Sequence, residues 1–314
     1  MSKTAAVQDK LLTAASNAYI PEDFHFVASR ILPVLPVTEQ SGKLGKYGKD
    51  FLRLVNTVMG GSGKAARIKT LVDSTSSYYI EDHGLEANIS KNDLKNFQTP
   101  YDAELDESLG LIVLMKIAKE KAIADALTDT ATITQNTTLS GTAQFNDYTN
   151  SDPLGKFLTA RTTVRDGIGF PPNKAIMDWK VANTLAYHPG ILDALGFTQA
   201  RAGQLTELEL AKALGVDEVL IPRVMYNSAV EGQSDSLGAV WGKHIVFAYS
   251  PSVARRKQQS LGYEVVYEGE MPYKVFRYFP GNPPPPARNV IVTDDYDQLL
   301  SDVTGAYLIK NAIA

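Results

Sequence analysis

The sequence predicts an α+β fold that combines one long helix, a unit of alternating helices and strands, and strand-rich segments. Residues 103–129 form the longest predicted helix, whereas residues 153–250 alternate short helical and strand patterns. Residues 37–90 and 251–280 consist mainly of strand-like runs punctuated by glycine and proline. We therefore expect helices and sheets to be concentrated in different parts of the chain.

The composition is that of an ordinary folded protein and narrows the possible functions. The 314 residues suffice for one large or two ordinary domains. A net charge of −4 argues against a dedicated nucleic-acid binder, and the absence of cysteine excludes disulfides and thiolate metal sites. The N-terminal residues lack the apolar part of a secretory signal, and the longest apolar run, Leu109–Met115, is too short to cross a bilayer. We expect a protein made in the cytoplasm, with no membrane partner.

The first 36 residues are predicted to form an N-terminal arm. Residues 4–18 are rich in Ala and Leu and predict a short helix, whereas Pro21, Pro33 and Pro36 predict an extended course for residues 19–36. Because this segment has too few periodic apolar residues for its own core, we expect it to lie on another part of the protein.

The next segment, residues 37–95, is predicted to be a long two-stranded hairpin. Strand-like runs at Phe51–Val58 and Arg67–Val72 flank a glycine-rich tip. An isolated hairpin is marginally stable in water, so it must pack on a neighbour. Residues 41–69, here named the basic loop, have a net charge of +6, because Asp50 is opposed by seven basic residues: Lys43, Lys46, Lys49, Arg53, Lys64, Arg67 and Lys69.

Two interpretations of the basic loop remain open. Lysines protect exposed strand edges from pairing with other chains, which needs no partner. Alternatively, the loop complements an acidic surface of a neighbouring copy. The start of the long helix is the candidate surface, because Glu104, Asp106 and Glu107 crowd its first turns, where the helix dipole favours negative charge. From Leu109 to Ala118 this helix is apolar on nearly every side, so we expect it to be covered on more than one side.

The remaining segments predict an α/β unit followed by more strands. Within residues 153–250, a helix is predicted to start at Thr206, with Glu209 completing a capping box, and to end at Gly215. Strands are predicted at Tyr263–Glu268 and Tyr273–Tyr278, followed by a stiff polyproline connector at residues 283–286. The last strands, residues 289–293 and 306–310, are expected to return together to the α/β unit.

A segment in the middle of the chain resembles a signature of the major capsid proteins of tailed bacteriophages. In that family a Pro-Asn turn leads into a short apolar strand and then a helix with a His-Pro pair. Here the turn is Pro171–Asn173, the strand Ala175–Met177, and the pair His188–Pro189. Two later passages, Leu210–Asn227 and Val240–Tyr249, resemble the family's helix-then-strand passage and its following strand. The resemblance implies the Hong Kong 97 (HK97) capsid fold.

The resemblance implies a division of the chain into six parts. These are an N-terminal arm (1–36), an extended loop (37–95), a peripheral domain with a long spine helix (96–152), an α/β axial domain (153–250), return strands of the peripheral domain (251–286), and C-terminal strands of the axial domain (287–314). The basic loop residues and Glu104, Asp106 and Glu107 are then expected at interfaces between subunits.

The resemblance also implies a function and partners. It implies a coat protein, not an enzyme, that assembles as pentamers and hexamers into an icosahedral shell around double-stranded DNA. The expected location is the virion, after assembly in the cytoplasm of the bacterial host. The implied partners are further copies, a portal protein at one vertex, packaged DNA contacted non-specifically, and separate scaffold and decoration proteins where these exist. The alternative is an encapsulin-like compartment around protein cargo, which the long hairpin and arm make less favoured.

We predict no catalytic, cofactor or metal site. Gly60–Lys64 invites comparison with a phosphate-binding loop, but Val58 and Ala65 stand where that motif needs Gly and Ser or Thr. The four histidines are scattered, without metal-ligand spacing. The acidic residues at 294, 295 and 297 lack the Gly and distal Glu of a calcium loop, so a solvated acidic turn is favoured. An enzyme acting through the glycine-rich tip is the last alternative.

Overall fold

A computed structural model describes most of the chain. The described residues are 7–18, 25–46, 49–52, 54–55, 57–58, 74–90, 100–197, 203, 205–230, 232–254, 259–278 and 288–314. The glycine-rich tip, the predicted strand at residues 67–72 and the polyproline connector lie outside them.

Seven α-helices are present in the described residues. They are α1 (Lys10–Ala18), α2 (Ala28–Ile31), α3 (Pro100–Thr128), α4 (Pro153–Ile168), α5 (Trp179–Ala186), α6 (Pro189–Ala194) and α7 (Glu207–Leu214). Helix α3, the predicted long helix, has 29 residues and is about 43 Å long at 1.5 Å per residue.

Fifteen β-strands are present in the same residues. They are β1 (Val7–Gln8), β2 (Val34–Val37), β3 (Ser41–Lys46), β4 (Ser74–Tyr79), β5 (Glu81–Ile89), β6 (Asn136–Thr138), β7 (Lys174–Met177), β8 (Glu218–Leu220), β9 (Met225–Asn227), β10 (Leu237–Ala239), β11 (Ile245–Ala248), β12 (Gly262–Tyr267), β13 (Lys274–Tyr278), β14 (Arg288–Leu300) and β15 (Ala306–Lys310).

The predicted α/β unit is built on a five-stranded sheet of order β6-β15-β11-β7-β8. Its central strand β11 has the sequence IVFA and is buried on both faces, as expected for a strand covered by helices on two sides. On one face, Phe247 packs in a core formed with α4, α5, α6 and α7. On the other face, Val246 packs with Ile123 and Leu127 of α3. The C-terminal half of the long helix therefore belongs to the core of this unit.

A six-stranded sheet is organised around the long strand β14. Strands β12 and β13 pair with successive parts of one edge of β14, and β5 pairs with the other edge. The turn at residues 268–273 separates β12 from β13. Along β14 the buried residues alternate, and Val290 and Val292 pack with Ile112 and Met115 of α3. The N-terminal half of α3 thus supports a second sheet. Within residues 109–118, however, Gly110, Leu114 and Ala118 are exposed, so the expected cover on more than one side is not met within the single chain.

The predicted hairpin is present, but not with the predicted strands. Strands β3 and β4 pair antiparallel from Ser41 opposite Tyr79 to Lys46 opposite Ser74. Phe51–Val58 was expected to be a strand, yet residues 49–52 form a 3₁₀ turn and the described residues that follow have no regular structure. The β-branched and apolar composition of 51–58 misled the prediction, because strand propensity reports packing context more than intrinsic preference.

Three other expectations need correction. Residues 288–300 do not return to the α/β unit; they form β14 of the six-stranded sheet, and only β15 joins β11. Residues 19–36 are not wholly extended, because residues 28–31 form the short helix α2. Residues 132–152 are rich in Thr, Asn, Ser and Gly, which predicts a polar loop, yet residues 136–138 form the edge strand β6, which pairs with β15. In each case a long-range partner, invisible in the local pattern, determines the structure.

Local capping signals of the α/β unit were predicted correctly. Thr206 and Glu209 form a reciprocal capping box at the start of α7, and Gly215 ends that helix with a φ of 68°. His188 acts as the N-cap of α6: its Nδ1 accepts a hydrogen bond of 3.1 Å from the Gly190 amide. Its Nε2 lies 3.0 Å from the Ser151 hydroxyl, which fixes the ring from both sides. Because His188 precedes Pro189 and matches the His of the capsid signature, the sequence favours a structural turn role for it, and these contacts confirm that role.

The pH dependence of stability tests the role of His188. Burial lowers the pKa of His188 below its ordinary value of 6.5, so the unfolded chain takes up a proton at a higher pH than the folded chain. The stability contributed by this group is therefore present above pH 6.5 and is lost as the pH falls toward the lower folded-state pKa. His188→Asn keeps a capping acceptor without the titration. We expect its free energy of unfolding to fall less than that of the native chain between roughly pH 7 and pH 5.

Urea unfolding at a series of pH values measures this difference as a slope. Burial also lowers the pKa of His244, which titrates in both proteins and cancels in the comparison. His25→Asn, at an exposed position, is the control and should keep the native slope. Identical slopes for His188→Asn and the native chain would contradict the assignment.

Candidate assembly surfaces

The structure places only part of the basic loop. Lys43 on β3 and Lys49 in the 3₁₀ turn are exposed, and neither forms an ion pair with another described residue. Lys46 is half-buried, and its Nζ lies 3.1 Å from Oδ1 of Asp302 in the same chain. Arg53, Lys64, Arg67 and Lys69 lie outside the described residues. Lys43 and Lys49 are therefore the described lysines of the loop that remain available to a partner.

The acidic start of α3 differs from the surface expected for docking. The side chain of Glu104 is only 1% exposed and accepts hydrogen bonds from Arg277 Nη1 at 2.9 Å and Arg288 Nη1 at 2.6 Å. Both arginines belong to the six-stranded sheet, so Glu104 ties the helix to its own sheet. The expectation that Glu104 faces a neighbouring subunit is corrected on this ground. Asp106 and Glu107 are exposed and remain candidate contact residues.

A buried charged cluster joins the middle of α3 to the six-stranded sheet. Lys119 Nζ lies 2.7 Å from Glu264 Oε1 on β12 and 3.4 Å from Asp294 Oδ2 on β14. It also lies 4.0 Å from the centre of the Tyr296 ring, a cation–π distance. The side chains of all three charged residues are less than a tenth exposed. Asp294 is therefore not part of a solvated acidic turn, and that expectation is wrong.

The next residue, Glu120, holds the N-terminal arm and the α/β unit. Its Oε2 accepts hydrogen bonds from the amides of Val27 at 3.0 Å and Ala28 at 2.8 Å. Its Oε1 accepts one from Trp241 Nε1 at 2.7 Å. Burial raises the pKa of Glu120, and these three hydrogen bonds oppose that effect by stabilising the carboxylate. The backbone of the arm is thus hydrogen-bonded to the long helix. This agrees with the expectation that the arm lies on another part of the protein.

A cavity of about 290 Å³ lies beside these charged residues. Its walls come from α3, from the arm, and from the turn at residues 268–273. It exposes both charged and aromatic groups: Phe26, Lys116, Lys119, Glu120, Glu264, Tyr267, Glu270, Tyr273, Lys274, Asp294 and Asp295. Lys274 pairs with Glu270 at 2.7 Å and with Asp295 at 2.5 Å.

Sequence reasoning did not predict this cluster. The alternation of buried and less buried positions along β14 is the signal in the sequence that could have revealed the cluster. Val290, Val292, Asp294 and Tyr296 lie on the buried face in turn, so an acid in that series needs a buried cationic partner.

The α/β unit carries a separate apolar surface. Trp179, at the start of α5, is 53% exposed, and a cavity of about 310 Å³ lies between it, Arg223 and Met225. The neighbouring hairpin of β9 and β10 exposes Val230 and Leu237. Exposed aromatic and aliphatic groups of this kind mark candidate protein contact surfaces.

Neither a metal site nor a membrane span was found. In the part of the chain that the structure describes, no three or more His, Asp or Glu side chains are grouped to hold an ion. Within the same residues no helix is long and apolar enough to cross a bilayer.

Glu104 and Glu107 provide a matched test of which acids stabilise the subunit. Replacing buried Glu104 by Gln removes the buried charge that pairs with Arg277 and Arg288, so we expect a loss of about 2–4 kcal/mol in the free energy of unfolding. Glu107→Gln, on the exposed face of the same helix, should change it by less than about 0.5 kcal/mol. Urea unfolding of both variants measures the two losses, and equal losses would refute the assignment of Glu104.

Comparison with known sequences points to capsid proteins. No protein-family model matches the chain. The major capsid protein of Pseudomonas phage JBD67 is 29% identical over 259 residues, which cover 81% of each chain. The major capsid protein of Burkholderia phage BcepMu is 24% identical over 263 residues, covering 83% of this chain and 82% of the relative. Both relatives carry the name of a structural component and not of an enzyme.

Comparison with solved structures gives the fold. The crystal structure of a phage-related protein from Bordetella bronchiseptica RB50 superimposes with a TM-score of 0.75, at 25% identity and 98% coverage of both chains. The capsid structure of cyanophage P-SCSP1u aligns with a TM-score of 0.54 over 89% of this chain and 86% of that one. At 10% identity, the second likeness shows the fold alone.

Sequence relatives and fold therefore agree, and both extend over the two sheets and the long helix that joins them. The chain has the HK97 capsid fold, and its resemblance to the major capsid proteins of tailed bacteriophages is confirmed.

Proposed function

We propose that the protein assembles as pentamers and hexamers into an icosahedral shell that encloses the double-stranded DNA genome of a tailed bacteriophage. The observation that carries the proposal is the similarity to two phage major capsid proteins over four fifths of the chain. The matched part is long enough to include elements of both sheets, so it reflects a whole subunit and not one shared motif.

The two sheets fit the two domains of such a subunit. In this proposal the five-stranded sheet with α4 to α7 is the axial domain, and the six-stranded sheet with α1 and the first half of α3 is the peripheral domain. Strand β14 belongs to the peripheral domain and β15 to the axial domain, so the last crossing between domains falls at residues 301–305. Residues 7–18, whose helix α1 packs on the peripheral domain, and residues 25–36 are the described part of the N-terminal arm, and β3 with β4 forms the base of the extended loop.

Several modest interfaces would hold each subunit in the shell. Trp179 and the β9–β10 hairpin offer an apolar contact for axial domains around one capsomer. The basic loop, with Lys43 and Lys49 exposed, offers a charged contact with the next subunit. Contacts of this kind are heterologous, and a heterologous contact closes into a ring when its rotation fits the symmetry. Pentamers and hexamers are such rings.

The same proposal includes the remaining partners. A portal protein would occupy one vertex, DNA would be contacted without sequence preference, and scaffold and decoration proteins would be separate chains where the phage uses them. Assembly would take place in the host cytoplasm and leave the protein in the virion.

Electron microscopy of the expressed protein tests the proposal. We expect closed shells of uniform diameter, and nuclease-protected DNA in particles recovered from phage-producing cells. Shells that contain only protein cargo would favour the encapsulin-like alternative. A protein that stays monomeric at every concentration and salt condition would refute shell assembly.

Charge reversal tests the contribution of the basic loop. We expect Lys43→Glu with Lys49→Glu to lower shell yield while the isolated subunit keeps its stability, because both side chains are exposed and have no ion-pair partner among the described residues. One exposed pair contributes only about 0.2–1 kcal/mol, but the contact is repeated in every subunit of a shell. The loss should shrink as salt rises, since exposed charges are screened beyond about 8 Å at physiological ionic strength.

The measurement is sedimentation of assembled material at low and high salt. Lys212→Glu with Lys243→Glu, both exposed on the α/β unit and outside the lining of the Trp179 cavity, is a control of equal charge change. Equal shell yield for the loop variant and the native protein at low salt would mean that the loop charges are only solvated.

A further inference from the structure

The cavity beside the middle of α3 contains more negative than positive groups. Its lining includes five carboxyl groups, those of Glu120, Glu264, Glu270, Asp294 and Asp295. The ammonium groups in the same lining are the three of Lys116, Lys119 and Lys274. With all eight groups ionised the lining has a net charge of −2, even with the ammonium of Lys116, which lies over the rings of Phe26 and Tyr273, counted in, so the cavity favours a further cation.

One carboxylate oxygen in this cavity has no hydrogen-bond partner among the described residues. Glu264 is 4% exposed, and its Oε1 pairs with Lys119 at 2.7 Å. Its Oε2 is buried and accepts no hydrogen bond from the part of the chain that the structure describes. A buried acceptor without a donor is destabilising, so a donor that reaches Oε2 would stabilise the site.

The shape of the lining indicates which kind of cation fits. The mouth is apolar, because Val34 and Met271 line the cavity and are each 46% exposed. Farther in, Phe26, Tyr267 and Tyr273 supply aromatic faces next to the carboxylates. Lysine and arginine side chains match this arrangement, because each has an alkyl stem that ends in a charged hydrogen-bond donor. Their cations also bind to aromatic faces. An alkali metal ion would gain nothing from the apolar mouth.

We propose that this cavity receives a lysine or arginine side chain from the basic loop of a second copy of the chain. The inference rests on the proposed shell assembly, which brings a second copy close. Charge complementarity selects the occupant: residues 41–69 have a net charge of +6, and Lys43 and Lys49 are exposed without an ion-pair partner among the described residues. Lys46 is less suited, because it already pairs with Asp302 in its own chain.

This acceptor differs from the one expected from the sequence. At the start of α3, Glu104 is bound by Arg277 and Arg288, which leaves Asp106 and Glu107 as an exposed acidic pair. The cavity, by contrast, offers a carboxylate oxygen that is already desolvated. The cost of burying that acid has been met during folding, so an arriving cation loses only its own hydration.

The absence of cysteine allows a direct test by site-specific disulfide formation. Met271→Cys places a thiol at the mouth of the cavity, and a second protein carries one cysteine in place of a basic loop residue: Lys43, Lys49, Arg53, Lys64, Arg67 or Lys69. Shells assembled from equal amounts of the two proteins are oxidised and run on a non-reducing gel. We expect a linked dimer for at least one loop position, and none before assembly.

Leu158→Cys is the control, because Leu158 is also an exposed apolar residue, at 60% against 46% for Met271. It lies on α4 of the α/β unit, outside the lining of the Trp179 cavity, and should give no dimer with the same loop partners. If Met271→Cys prevents assembly, Glu270→Cys on the same turn replaces it. Normal shells without a linked dimer at any of the six positions would overturn the inference and leave the proposed function standing. A native protein that forms no shells would instead overturn the proposed function.

A second measurement asks whether the contact depends on charge. At the loop position that links, exchange between Lys and Arg should keep shell yield within about twofold, whereas substitution by Met should lower it about tenfold, the change expected from 1.4 kcal/mol. Equal yields for the Met and the conservative variants would show that the loop lies near the cavity without inserting its cation.

Discussion

Two consecutive charged residues in the middle of the long helix hold the rest of the structure in place. Lys119 points to the six-stranded sheet, where it pairs with Glu264 and Asp294, and Glu120 receives the arm and Trp241. Buried charges are costly unless they are paired and hydrogen-bonded, so every one of these partners must be in position before the helix can be buried. The pair therefore favours the arrangement of helix, arm and two sheets over other compact packings, which apolar contacts alone discriminate poorly.

Hydrophobic contacts bury one side of α3 along most of its length. The first half of α3 packs under β5, β13 and β14, and its second half packs under β11 and β15. The opposite side stays exposed and carries small or apolar residues: Gly110, Leu114, Ala118 and Ala122. Hydrophobic burial supplies most of the stabilisation, but it is non-directional. The carboxylate of Glu120 and the ammonium of Lys119 fix the relative orientation of the packed elements, because a hydrogen bond forms only within a narrow range of distances and angles. Rigid subunits of this kind can repeat the same contacts throughout a shell.

Local signals in the sequence were sufficient for much of the fold. The capping box at Thr206, the end of α7 at Gly215 and the extent of α3 all depend on neighbours within one or two helical turns. The failures share a physical cause, which is a partner far along the chain. Asp294 looks like a turn residue until Lys119, 175 positions earlier, is known to face it. Glu104 looks like an exposed dipole partner, although Arg277 and Arg288 bury it. The sequence identified the charged segments that are candidates for assembly contacts, but it did not identify the surface that each segment would contact.

The distribution of charge within one subunit gives the association its direction. The chain carries −4 in total and the basic loop +6, so the remaining residues carry −10. Like copies with this separation repel when equivalent surfaces meet and attract when the loop of one meets the body of the next. That preference disfavours a two-fold dimer, in which the same patches face each other, and favours head-to-tail contacts. Lys46, held by its own Asp302, anchors the base of the loop while Lys43 and Lys49 face outward. A loop fixed at its base loses less conformational entropy on docking than a free one, so in the proposed shell weak charged contacts would suffice when they are repeated in every copy.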